Sequence, residues 1–235
     1  MSLFPNRPIY THSTKEFFPM LSADAIVEVQ DEKTRNWHHQ TPTPEEQLHA
    51  EPATGVTFDL AESWLPAVVR QHRANFELWH IEDEARAPGV TDAELAAVKR
   101  RIDWTNQRRN DLAEELDRAL LDWLESRGLP NAQAPMNSES PGLIVDRLSI
   151  LSLKIYHTRE EADREYAPEG HAARNRNRLT ILESQRADLA GCLDDLWHET
   201  LNCSRQFKAY RQLKMYNDPT LNPSVYSKML KEPES

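Results

Sequence analysis

Between Ser140 and His157 the chain reads SPGLIVDRLSILSLKIYH, and Leu143, Ile144, Val145, Leu148, Ile150, Leu151, Leu153, Ile155 and Tyr156 surround a helical axis on nearly every side. That is the pattern of a helix sunk in a core. Ser140 followed by Pro141 marks its start, since the hydroxyl can cap an orphan amide and proline costs nothing at the first helical position. It continues on charged residues to about Glu165, and Pro168 to Gly170 makes the turn that follows. Elsewhere the apolar residues form single stripes. Ile26, Val29 and Trp37 recur at helical spacing from Ser22 to about Trp37. His38 to Gly55, with Pro42, Pro44 and Pro52, reads as a loop. Asp59 with Glu62 forms a capping box for a helix reaching Arg86, with Leu60, Trp64, Val68, Leu78 and Trp79 on its apolar side and Pro66 near its start. Thr91 with Glu94 opens a third, which Gly128 and Pro130 stop just after Arg127, and Ala172 to Asn202 forms another.

Four long helices with short connections predict an all-α fold, an antiparallel bundle of four long helices with an additional N-terminal helix. A C-terminal helix, Ser204 to Tyr216, and an extended tail complete it. The expected organisation is an N-terminal arm at 1–21 containing Pro5, Pro8 and Pro19, a bundle domain at 22–216, and a tail at 217–235 that packs on the bundle and is mobile from 226 onward.

Composition narrows the class. Of 235 residues 28% are charged and 39% hydrophobic, with only 6 glycines, which suits a helical protein better than a turn-rich β fold. No apolar run approaches the ~20 residues that span a bilayer, and the N-terminus lacks the features of a signal peptide, so the expected setting is cytoplasmic, without membrane insertion. Cys192 and Cys203, eleven apart on one predicted helix, lie about 16 Å apart and cannot bridge; they read as reduced packing residues. A net charge of −10 argues against nucleic acid as a partner.

The chemistry is concentrated in polar residues set into apolar helices. Asp146, Arg147, Ser149, Lys154 and His157 interrupt the most apolar segment, and Arg147 and Lys154, seven apart, share a face. A buried charge must be paired or meet a ligand. One reading is an internal network in which these groups satisfy one another, together with Asn75, Glu82 and Asp83 from an earlier helix. The other is a polar inter-helix pocket in which Arg86, Lys99, Asn106, Asn110, Asp146, Arg147 and Lys154 hold a small anionic ligand while His80, Asp103 or His157 moves protons. Glu77-x-x-His80 and Asp195-x-x-His198 have the spacing of carboxylate-bridged di-metal bundles, with Asp103 and Asp146 as facing carboxylates. Such pairs arise readily among 38 acidic residues and 9 histidines, so the sequence assigns no metal and leaves any cofactor open. Arg73 with His80 fits a loose ribonuclease spacing, which the acidic chain disfavours, and Glu114-x-x-Asp117 is a single acidic pair where an all-α pyrophosphatase needs two. A Gly-rich phosphate loop, a Cys-x-x-Cys pair and a nucleophile elbow are absent.

Three blocks carry a resemblance: LWHIEDEAR with VKRRIDWTNQRRND, the SPGLIVDRLSILSLKIYH segment, and YRQLKMYNDPTLNPSVY. In this order, from Ser22 to Tyr226, they resemble the bacterial family called domain of unknown function 4254, with serines at 138 and 140 where threonines are expected and Thr105 where leucine is. The resemblance implies an association with cell-envelope glycans and glycosyl transfer. The functional expectation is therefore binding or processing of a phosphorylated sugar or nucleotide-type ligand. The alternative is a non-catalytic interaction protein that scaffolds glycosyltransferases. A homo-oligomer or a glycosyltransferase partner is compatible with either.

Overall fold

The structure, a computed structural model, describes residues 21–40 and 64–211. Within them the chain is all-helical: α1 (Ala23–His39), α2 (Leu65–Glu84), α3 (Asp92–Glu125), α4 (Pro141–Asp163) and α5 (His171–Leu201). The N-terminal arm, the Asp59–Glu62 capping box and the tail beyond Arg211 lie outside the described residues. No helix among those described is long and apolar enough to cross a membrane.

Local chemistry sets the helix ends. Ser22 caps α1 by accepting from the Ala25 amide. Thr91 and Glu94 close a reciprocal capping box on α3, and Ser140 caps α4 by accepting from the Leu143 amide, with Pro141 in the first turn. α2 begins at Leu65 with Pro66 in its first turn and has no side-chain cap. α5 starts after Gly170, whose φ of 74° lies in the left-handed region that glycine adopts without strain.

α4 touches each of the other four helices, and α1, α2 and α4 contact one another pairwise. The main apolar cluster joins Ile26, Val68, Leu116, Leu120, Leu124, Ile144, Leu148, Leu193, Trp197 and Phe207. A second, smaller cluster contains Trp37, Phe76 and Leu153. Between the two, each of three helices contributes buried polar residues: Gln30 and Thr34 from α1, Gln71, His72 and Asn75 from α2, and Asp146, Ser149 and Ser152 from α4. α5 is tied to α1 by the Arg186–Asp31 ion pair at 2.7 Å and by Asp194 accepting from the Ala23 amide at 2.9 Å.

α3 and α4 meet at close range. A Cβ on Gly142 would overlap the Ala113 carbonyl oxygen and stand 2.9 Å from the Asp117 carboxylate. Glycine is what allows the backbones to approach.

Three expectations change. Ser204–Arg211 is not helical: Cys203 takes a φ of 62°, and Gln206 pairs with the loop before α4, donating its amide to Pro135 O at 3.0 Å and accepting from the Asn137 amide at 2.7 Å. These bonds, with burial of Phe207, hold the segment extended where the spacing of its aromatics suggests a helix. Cys192 and Cys203 are exposed rather than packed. Leu151 is only partly buried, unlike Leu148 and Ile155, because its face of α4 opens on a groove beside α5.

Candidate functional site

The buried polar layer is a connected chain of hydrogen bonds. The Thr34 hydroxyl donates to Gln30 O at 2.8 Å, so it accepts from His72 Nε2–H at 2.9 Å. His72 Nδ1 is then an acceptor for the Ser149 hydroxyl at 2.7 Å. Asn75 donates to Ser149 and to Asp146, both at 2.9 Å, and Gln71 also donates to Asp146. Burial drives the His72 pKa down to about 3, so the imidazole is neutral. Burial raises the Asp146 carboxyl, while Arg109 at 3.7 Å and the Asn75 and Gln71 amides pull it back. Most of this part of the polar interior is paired within itself; Gln71 Oε1 has no hydrogen-bond partner among the described residues.

The sequence-derived pocket residues do not converge on one site. Successive helical residues point ~100° apart, so Asp146 faces α2 and α3 while Arg147 faces the α5 side. Arg147 and Lys154 are exposed and line a groove of about 630 Å³ between α4 and α5, with Ile150, Leu151 and Leu189 among its apolar residues. There Arg147 holds Glu139 by two hydrogen bonds, at 2.6 and 2.8 Å. Arg86, exposed at the end of α2, pairs with Glu82 and Asp83 and lines a separate groove of about 390 Å³ with Asn75, Trp79 and Arg109. Lys99 and Asp103 form an ion pair on the outer face of α3, and Asn106 and Asn110 are half-buried farther along it.

The di-metal constellation does not assemble. Glu77 is held by Arg73 at 2.7 Å, and Asp195 and His198 are exposed on α5. Among the described residues, the groups placed to share one ion are His38, His80 and His157, whose candidate ligand atoms all lie within 4.8 Å of one another. His80 and His157 stand out in the sequence; His38 does not, since it closes a helix with no patterned partner nearby. Their rings are held by aromatic neighbours: Tyr156 stacks on His38 at 4.4 Å and Trp79 on His157 at 4.8 Å, while Phe76 meets His38 and His80 edge-on. Burial lowers the pKa of both His80 and His157, and the neighbouring His38 adds to each shift.

Comparison with known protein families matches residues 66–209 to the family described as Protein of unknown function (DUF4254). No curated protein and no solved structure matches the chain.

Proposed function

The chain belongs to the DUF4254 family, and we propose that it binds or processes a small anionic ligand, a phosphorylated sugar or nucleotide, in the groove between α4 and α5. One observation carries the reading: Lys154 lines an open volume of about 630 Å³ with no carboxylate partner among the described residues. That volume falls in the range of small-molecule sites. Arg147, two turns away on the same wall, is preset by Glu139, and the flanking Ile150, Leu151 and Leu189 offer apolar surface to a sugar or base. In the same reading α2 to α5 form an antiparallel bundle and the protein serves bacterial cell-envelope glycan metabolism in the cytoplasm. The short connections support the first statement and the family resemblance supports the second.

The scaffold alternative is favoured by the apolar side chains that α3 presents to solvent, Leu95 and Trp104, each 44% exposed. A thermal-shift screen with nucleotide sugars, sugar phosphates and inorganic phosphate separates the two. Stabilisation that is lost in Arg147→Met and Lys154→Met, both folded, supports the groove; no shift with any of these anions rejects it.

A further inference from the structure

Each of three mutually contacting helices contributes one histidine to a single point: His38 in the last turn of α1, His80 near the end of α2 and His157 in the second half of α4. Two of the three are set in a ligating tautomer. His38 Nδ1 lies 2.7 Å from the Thr34 carbonyl oxygen, and a carbonyl can only accept, so the proton is on Nδ1 and the lone pair on Nε2. His157 Nδ1 lies 2.9 Å from the Glu160 carboxylate, with the same consequence. Both Nε2 atoms are buried and have no hydrogen-bond partner among the described residues. Buried nitrogens rarely go unsatisfied, and an imidazole whose outer nitrogen is tied to a carbonyl or carboxylate while its inner lone pair is unused is the arrangement found around bound metal ions.

We propose that His38, His80 and His157 bind one divalent late transition-metal ion, Zn²⁺ by preference, with no fourth protein ligand among the described residues. Three neutral nitrogen donors without carboxylates select this borderline class over Mg²⁺ or Ca²⁺, which take oxygen. Ligand atoms within 4.8 Å of one another must draw in toward about 3.4 Å to share a tetrahedral ion with bonds near 2.1 Å. Asp83, one turn beyond His80, and Glu160 supply negative charge to offset the cation. With three ligands among the described residues, the remaining position is available to water or an anion, the configuration of catalytic rather than structural zinc. The site shares no residue with the α4–α5 groove, so each stands without the other.

The test uses the full chain, stripped with a chelator and titrated with Co²⁺ and then Zn²⁺. Expected are one equivalent of Co²⁺ with the intense visible bands of four-coordination, displacement by Zn²⁺, and X-ray absorption of the zinc form that counts three imidazoles. His80→Gln and His157→Gln weaken binding roughly a hundredfold, Glu160→Ala roughly tenfold, and His39→Gln, an exposed neighbour on α1, leaves it unchanged. Failure to bind Zn²⁺ in excess, fewer than three imidazoles at the bound ion, or binding unchanged in His80→Gln and His157→Gln overturns the proposal. The absorption experiment is made on the unmodified protein and does not depend on the variants folding.

Discussion

Asp117 on α3 holds Ser140 at the head of α4, taking its hydroxyl on one carboxylate oxygen and the Gly142 amide, at 2.6 Å, on the other. Burial pushes this carboxyl from 3.8 up to about 7 even though both donors, and Arg118, pull it down. Between these values the unfolded chain has released a proton that the folded chain keeps. The contribution to stability is therefore complete below about pH 4 and is lost as pH rises toward 7, with a slope of at most about 1.4 kcal/mol per pH unit. Asp117→Asn keeps one oxygen to accept from the Gly142 amide, presents an NH2 group to the Ser140 hydroxyl in place of the other, and abolishes that slope. Urea denaturation of both proteins at a series of pH values checks it through their difference.

His72 acts with the opposite sign. Its folded pKa is about 3 against 6.5 when unfolded, so stability is lost as pH falls through that interval, the unfolded chain taking up a proton that the folded one refuses. Nuclear magnetic resonance of its ring nitrogens should show no titration between about pH 7 and 5. A ring that titrates there would place water in the polar layer.

Gly142→Ala drives a methyl group into the Ala113 carbonyl, which is backbone and cannot step aside. The expected loss is about 1–3 kcal/mol by chemical denaturation, or more if α4 must shift as a body. An unchanged midpoint would mean that α3 and α4 are not in close backbone contact in solution.

Leu148 is fully buried in the main cluster, and Leu148→Ala should cost about 2–5 kcal/mol. Leu151 lines the α4–α5 groove, where truncation leaves a dent open to water rather than a cavity, so Leu151→Ala should cost about half as much or less. Equal losses would show the groove closed in solution.

The caps at Thr91 and Ser140 and the all-round apolar character of α4 are legible because they are local: a few side chains decide each helix end. Faces were harder. Periodicity gives the angle of Arg147 and Lys154 about α4 but not which flank a neighbour covers, so two exposed cations read as buried. The segment after Cys203 was misread because its hydrogen bonds go to residues about seventy positions earlier, through Gln206, and no local pattern records them. His38 was missed for the same reason. Its companions lie on other helices, and the observation that singles it out is the unused Nε2, visible only in three dimensions.

That α4 contacts all four other helices has a consequence for divisibility. Removing it would strip partners from both apolar clusters at once, since Ile144 and Leu148 belong to one and Leu153 to the other. Neither the α2–α3 pair nor α5 could then bury its own apolar face. A chain severed in the loop between α3 and α4 is therefore expected to yield halves that become ordered only on each other.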